Sequence, residues 1–525
     1  MPFLLNDTAT DHVDLMDKLI DFATNDTVET VAIAAGGAGY TVGDILTASG
    51  GTFTLAAQFE VTSVAAGVVD GIKVARSGVG YTATPGNPVS TTGGTGAGCT
   101  LTLTFGTPWT LRRRTRTAAS AVVGTAGTGY AVNDKLFVAD VIDGTQAQFN
   151  VDTIGGGGAV LTVSLDIGGH IHEPQANDAT TTTDGSGTGC ELTVTYNFAS
   201  DTTLEHQLIL EGADSSQPFI GIRAYKAGLA HNFELAGFTG YTSTQTYESQ
   251  PGISPGRYDA SSVGSPAPDE GAYTPLDNNT INYWLFLNDR KITGVFKMGA
   301  STYTNMYLGF FNPFGTNTEF PYPMAVFGCR ALPNTLFSST VIGYSGMIDP
   351  IGFDQTDQNG PALLRDVAGV WKSIRNSRES SGSRISQEEF VCWPAGTALS
   401  GTDQIADDDK TSKEGFTSTG AIPHAGNPGS PLLQFLRQTP DTNNLATLVP
   451  TMLIEAGSLA GQVERMIHGE LSGLHWMSNA MDLDVATAAS EDVIEEGSGA
   501  SVQRYHVFQN VARTSEFTFF AIKEE

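Results

Sequence analysis

Two stretches of this chain are copies of one another, and that constrains its fold more than any other feature. The first copy, residues 31–105, carries Gly39-Tyr40, Ala57-Gln58-Phe59, Gly80-Tyr81, Gly98-Cys99 and an alternating run over residues 100–105. The second, residues 121–198, carries Gly129-Tyr130, Ala147-Gln148-Phe149, Gly169-His170, Gly189-Cys190 and a matching run over residues 191–196. Tyr40 and Tyr130 stand 90 residues apart, Phe59 and Phe149 also 90, Tyr81 and His170 89, and Cys99 and Cys190 91. Two copies are too few to stack as a solenoid, so each reads as a small β domain. The Gly-x-Gly-Tyr turns are not phosphate loops. A dinucleotide loop joins a strand to a helix with an acid about 20 residues on, and here only strands and turns follow. Glycine in such turns supplies positive φ, and the aromatic packs on a neighbouring strand.

Composition supports a β fold. Glycine numbers 61 of 525 residues, and only 16% of residues are charged, against roughly 25% in ordinary soluble proteins. The net charge of −29 argues against a nucleic-acid partner, which requires a basic surface. No basic start with a long apolar run marks a signal peptide, and no run approaches the roughly 18 apolar residues of a spanning helix. Membrane insertion is therefore not expected. Cys99, Cys190, Cys329 and Cys392 form no CxxC and no metal spacing. Cys99 and Cys190 hold the same place in different copies, so each reads as a buried free thiol.

Around the copies the chain divides into further regions. Residues 1–30 read as an N-terminal helix, with Thr10 as N-cap, Asp11 and Asp14 in the first turn, and Val13, Met16, Leu19, Ile20 and Ala23 at helical spacing. Its apolar face is read either as docked on its own β domain or as a contact between subunits. Residues 106–120 hold the one basic cluster, Trp109-Thr110-Leu111-Arg112-Arg113-Arg114. As a regular strand it sets Trp109, Leu111 and Arg113 on one face, and the plainer reading pairs its arginines with the chain's own acids. A strand in the 205–211 stretch is expected beside it. Residues 199–350 read as a host β domain, with a long polar loop over 242–280, a hairpin turning at Asn288–Arg290, and a Pro-fixed loop over 314–323. Residues 351–447 read as loop-rich with a short helix over 363–374 anchored by Trp371, and residues 448–525 as a C-terminal β region. The expected fold is thus mainly β and multidomain: two small repeated β modules inserted into a β-sandwich-like host, with an N-terminal helix and a C-terminal β region.

Chemistry is sparse. His170-x-His172 lacks a third metal ligand, and His170 reads as a replacement for the aromatic Tyr81. Asp354-x-x-Asp357-x-Asn359-Gly360 lacks the acid spacing of a calcium loop. Asp407-Asp408-Asp409 reads as solvated loop. There is no GxSxG and no HExxH. The expectation is a non-enzymatic chain with no catalytic residue, metal or cofactor.

The two modules resemble the Gly-Tyr β repeats of tailed-bacteriophage structural proteins. The wider frame is similar to a family of phage virion proteins through Ala9-Thr10-Asp11-His12-Val13-Asp14-Leu15, Trp109-Thr110-Leu111-Arg112, Leu208-Ile209-Leu210-Glu211-Gly212, and the 306–323 and 506–513 stretches. The resemblance implies a homo-oligomeric structural component of the virion, made in the host cytoplasm and placed at the tail, baseplate or tail tip. Its partners would be itself and other virion proteins. Candidate interface residues are Val13, Met16, Leu19, Ile20, Trp284, Tyr303, Tyr307, Phe320 and Tyr322, since aromatics are enriched at such contacts. The same residues also suit an ordinary core. The alternatives are a receptor- or glycan-binding fibre protein engaged in host attachment, a head or neck decoration protein, and a tail-associated hydrolase.

Overall fold

The computed structural model describes residues 3–115, 118–138, 146–169, 178–182, 187–196, 206–227, 230–254, 272–276, 280–299, 302–316, 318–328, 362–365, 369, 371–373, 389–393, 447–456, 465–478, 490–497, 503–509 and 519–524. The fold is mainly β, in five sheets with one α-helix among the described residues. His170, His172, the Asp354–Asn359 stretch and Asp407–Asp409 lie outside those residues, as do the side chains of Cys329 and Cys392.

The repeat is a structural repeat. Module 1 is one antiparallel sheet with spatial order Thr27–Ala38, Ala97–Gly106, Val89–Thr92, Ile45–Ala48, Gln58–Ala65, Val68–Arg76. Module 2 has the same order in Ala118–Thr128, Thr188–Tyr196, Asp178–Thr182, Lys135–Val138, Gln148–Ile154, Val160–Ile167. Registers agree as well. Phe59 pairs with Val74 and Ser63 with Gly71, while Phe149 pairs with Leu165 and Thr153 with Thr162, with a bulge at the same three places in each ladder. Each sheet rolls until its two edge strands meet. Val28 N–H donates to the Ser77 carbonyl and Tyr40 N–H to Gly67, both at 3.0 Å, and Ala118 to Gly168 and Tyr130 to Gly158 do the same in module 2, also at 3.0 Å. Inside lie Tyr40, Leu46, Phe59, Cys99 and Leu101, matched by Tyr130, Leu136, Phe149, Cys190 and Leu192.

The Gly-Tyr landmark has a defined job. Gly39 and Gly129 turn the chain at φ 83° and 80°, which only glycine adopts freely. The following tyrosine points into the barrel, where its hydroxyl accepts the N–H of the landmark cysteine: Cys99 to Tyr40 at 3.3 Å and Cys190 to Tyr130 at 3.1 Å. Four residues on, an aspartate closes the turn, with Asp44 Oδ2 accepting from Thr41 N–H and Asp134 Oδ2 from Ala131 N–H, both at 2.9 Å. Hydrogen bonds from Thr41 and Thr95 hold the Asp44 carboxyl down to about 2.

One landmark pairing shifts. A side chain on Gly78 would reach 2.8 Å from Ala57 N, and one on Gly169 would collide with Ala147 N. Gly169 therefore takes the place of Gly78, not of Gly80. At that offset the counterpart of Tyr81 is residue 172 rather than His170.

The host is a sandwich. Its five-stranded sheet runs Ala272–Leu276, Ala230–Phe238, Phe219–Ala227, His206–Gly212, Trp109–Thr115. Its other sheet runs Phe3–Ala9, Ile281–Leu287, Lys291–Met298, Thr302–Phe310, Met324–Phe327, Ala362–Arg365, Trp371–Ser373. The two share one core, with Phe233 meeting Phe296 edge-to-face at 6.2 Å. Residues 1–30 are thus not helix alone, since Phe3–Ala9 pairs antiparallel with Ile281–Leu287 before the helix begins.

The helix, His12–Thr24, is capped by Asp11 rather than Thr10. The Asp11 carboxylate accepts the N–H groups of Val13 and Asp14 at 2.8 and 2.9 Å, and Thr10 N–H donates back to Asp14, a reciprocal cap. Packed beside the edge strands Phe3–Ala9 and Trp109–Thr115, the helix puts Leu15, Met16, Leu19, Ile20, Phe22 and Ala23 into the sandwich core.

The expected helix over 363–374 is instead a strand pair, with Leu363 opposite Ser373 and Arg365 opposite Trp371. The apolar run is too short for its period to separate helix from strand, and Gly369 at φ 77° turns the chain between them. Trp371 still acts as an anchor, packing on the core and donating its indole N–H to the Gly252 carbonyl at 3.0 Å. A last sheet, running Glu389–Trp393, Thr447–Ala456, Arg465–Ser478, Phe519–Lys523, Gln503–Gln509, Val493–Glu496, packs on the host through Phe508.

Candidate functional site

A cluster of buried polar groups, Arg113, Gln207, Arg223, Glu234 and Gln250, lies on the outer face of the five-stranded sheet. Alternation along Ala230–Phe238 sends Phe233 and Leu235 into the core, leaving Asn232, Glu234, Ala236 and Phe238 on the other side. Cross-strand register then builds one row: Gln207 opposite Arg223, Arg223 opposite Glu234, Glu234 opposite Tyr273. The segment from Thr239 to Ser254 covers this row. Its Tyr247 packs on Ile209, Ala236 and Phe238. Gln250 holds the segment together, donating to the carbonyls of Thr242 and Gln245 at 3.0 Å and of Thr246 at 3.1 Å.

Arg223 is the centre. It is wholly buried, donates to Glu234 Oε2 from Nη2 at 3.0 Å and from Nε at 3.2 Å, pairs with Glu248 of the covering segment, and sits 5.3 Å over the Tyr247 ring. Glu234 is 1% exposed, and its Oε1 has no hydrogen-bond partner among the described residues. Burial pushes its carboxyl up to about 7, against the pull of Arg223. A carboxyl near neutrality suits acid–base work, but a general base must reach its substrate's proton, and this one is sealed under Tyr247 and Glu248. The row clamps a loop to a sheet.

Arg113 joins the clamp by an irregularity. Its Nε donates to Gln207 Oε1 at 3.0 Å and its Nη1 to the Gln245 carbonyl at 2.9 Å. The strand ladder slips between Ile209 and Leu210, and such a bulge reverses side-chain parity. Arg113 therefore faces away from Trp109 and Leu111, contrary to the regular alternation. Arg114 takes the helix side, bonding Asp17 at 2.7 Å, and Arg112 pairs with Glu211. Trp109, fully buried, donates its indole N–H to the Asn288 carbonyl at 2.7 Å.

The residues expected at subunit contacts pack inside the chain itself. Met16, Leu19 and Ile20 belong to the sandwich core, with Val13 half-buried beside them. Trp284 and Tyr303 meet Phe508 of the C-terminal sheet at 5.2 and 6.4 Å. Tyr307 is buried and donates to the Phe310 carbonyl at 2.7 Å. Phe320 stacks edge-on to Phe311 at 5.8 Å, and Tyr322 to Phe310 at 4.7 Å. Their apolar surface is used by intramolecular neighbours, which leaves little of it for a second subunit. The landmarks Tyr40, Phe59, Tyr81, Cys99, Tyr130, Phe149 and Cys190 are likewise buried. Cys99 and Cys190 are free thiols whose burial pushes their ionisation up, which makes them poor nucleophiles.

Among the described residues no three His, Cys, Asp or Glu side chains gather as a metal site, and no helix is long and apolar enough to cross a membrane. The sequence reading missed the Gln207–Arg223–Glu234 row. Its signal was a charge set directly against apolar residues in each of two strands, Ile220-Gly-Ile-Arg223 and Phe233-Glu234-Leu235. The chain matches no protein-family model and no curated protein.

Proposed function

We propose that this chain is a non-enzymatic structural component of a tailed-bacteriophage particle, placed at the baseplate or tip of the tail and acting as a homo-oligomer with other virion proteins. The observation that carries this reading is the doubled barrel. One packing unit is built twice, with equal register and equal bulges, on the two ends of a single sandwich strand. Its landmark residues serve packing rather than reaction chemistry, and they are the residues through which the chain resembles virion proteins. The buried Arg223 clamp also fixes a loop and offers no access to a substrate.

A glycan- or receptor-binding fibre would present Trp or Tyr at module tips. Tyr40, Tyr81 and Tyr130 are all buried, which gives that alternative no support. The test is gold-labelled antibody imaging of phage particles that encode this protein. Label at the distal tail is expected. Label at the head or neck would overturn the baseplate position, and absence of label from intact particles would overturn the virion reading.

A further inference from the structure

Arg223 serves two carboxylates. Its Nε and Nη2 converge on Oε2 of Glu234, at 3.2 and 3.0 Å, and its Nη1 turns to Glu248 of the covering segment. A fork-to-fork pair would engage both carboxylate oxygens. Here Glu234 Oε1 is buried without a hydrogen-bond partner among the described residues. On an ionised carboxylate such an oxygen is costly to keep from water, whereas a neutral carboxyl is far cheaper to bury. The other groups around the pair are Tyr273, opposite Glu234 on Ala272–Leu276, Tyr247, which lies over Arg223, and Arg113. Arg113 is set off from the pair by Gln207, to which it bonds at 3.0 Å.

The covering segment has a fastened base and a separate tip. At the base Thr239 N–H donates to the Pro251 carbonyl and Ser254 N–H to that of Gly237, both at 2.8 Å, and the Trp371 indole holds the Gly252 carbonyl. The tip, residues 242–250, is tied to itself through Gln250, which accepts Thr242 N–H at 2.8 Å and donates to three tip carbonyls. It meets the sheet at Tyr247, at Gln245 through Arg113 and at Glu248 through Arg223. We infer that this tip is a proton-controlled latch: it closes over the row while Glu234 is protonated, and loss of that proton favours its lifting as one piece, which lets water reach Glu234 Oε1. With Glu234 neutral, Arg223 balances Glu248, one charge against one. With Glu234 ionised, a second carboxylate shares the same guanidinium and repels Glu248, the tip's own anchor. Burial pushes the Glu234 carboxyl from 4.5 up to about 7 in the closed form, and contact with water returns it toward its ordinary value. The closed form therefore holds an extra proton between those values, and closure weakens as pH rises through that window. The latch goes beyond the particle reading and does not rest on it.

The test is native-state hydrogen exchange of the full-length chain as wild type, Glu234→Gln and Glu248→Gln, between about pH 5 and 8. Rates are read as protection factors, which removes the intrinsic pH dependence of exchange. Gln245 and Gln250 report on the tip, since their N–H groups donate within it. In the wild type their protection is expected to fall by up to about tenfold per pH unit below about pH 7 and to level off above it. Glu234→Gln keeps the shape and the neutral charge of the closed form, so its tip should stay protected at every pH. Glu248→Gln alters a half-buried side chain and removes the anchor, so its tip should be open already at low pH. Wild-type protection that ignores pH would overturn the latch, as would an unaltered slope in Glu234→Gln or full tip protection in Glu248→Gln at low pH. An equal slope at the amides of Phe219–Ala227 would assign the proton to loss of the sheet and overturn it too.

Discussion

Removing one oxygen from each barrel tests whether the two modules are energetically the same object. In Tyr40→Phe and Tyr130→Phe the ring remains and only the acceptor for Cys99 N–H or Cys190 N–H is lost. Both cysteines are 1% exposed, so water does not replace the lost acceptor. A buried donor left unsatisfied costs about 1–3 kcal/mol. The 3.1 Å bond in module 2 belongs near the middle of that range and the 3.3 Å bond in module 1 toward its lower end. The expected losses are therefore about 2 kcal/mol for Tyr130→Phe and about 1 kcal/mol for Tyr40→Phe. Native-state hydrogen exchange reads this locally. A loss of about 2 kcal/mol speeds exchange of the affected amide roughly thirtyfold, and about 1 kcal/mol roughly fivefold. Each variant should act on its own module's cysteine amide and leave the other's unchanged. Unchanged exchange at both cysteines would refute the assigned role of the hydroxyl, and a large effect in one module alone would refute their equivalence.

Three further outcomes are expected. Glu234 has a folded-state pKa raised to about 7 from 4.5, so the folded chain holds an extra proton between those values and stability falls as pH rises through that window. Glu234→Gln should remove a slope of up to about 1.4 kcal/mol per pH unit from the unfolding curve, and an unaltered slope would count against the assignment. Leu19→Ala should cost about 2–5 kcal/mol in denaturant unfolding without shifting sedimentation, because Leu19 is fully buried in its own core; a change in association with little loss of stability would restore the helix as a subunit contact. Gly96→Ala and Gly187→Ala should each destabilise their module by more than about 1 kcal/mol, since an added Cβ would lie within 2.6 Å of the Tyr40 ring and closer still to that of Tyr130; native melting curves for both would contradict the turn geometry.

The repeat was legible because its landmarks are turn glycines and core aromatics, which are tied to local backbone and burial and recur wherever the unit recurs. The pairing of Trp109–Thr115 with His206–Gly212 was legible for a similar reason, as both strands carry strong β character. What failed depended on contacts remote in sequence. Period-two reasoning put Arg113 beside Trp109, and one bulge, set by the partner strand, reversed it. The apolar character of Met16, Trp284 and Tyr303 gave burial but not the surface against which they are buried. That answer came from strands more than 200 residues away, such as Gln503–Gln509 packing on Ile281–Leu287. The Arg223 clamp was hidden because the outer face of a sheet reads as solvent unless a loop is known to cover it.

Trp109–Thr115 explains how one sandwich carries two barrels. It is the edge strand of its sheet, so chain can leave and return at either end without breaking a ladder on both sides. Module 1 departs before it and module 2 after it, about 20 Å apart along a seven-residue strand. The two are not placed alike. Module 1 gives Val79 to the sandwich core, receives Arg504 of the C-terminal sheet at Glu60, and donates Tyr81 N–H to the Asp26 carbonyl at 3.2 Å. Its outer positions accordingly hold Asp70, Lys73 and Arg76, with Lys73 paired to Glu60 at 3.6 Å. Module 2 makes no such tie among the described residues, and its matching positions have become Leu161, Ser164 and Ile167. With the landmark core residues Tyr, Leu, Phe, Cys and Leu kept in both interiors, those substitutions answer to what lies outside the barrel. The module fastened to its host keeps a charged exterior, and the module with no such tie among the described residues carries the more apolar one.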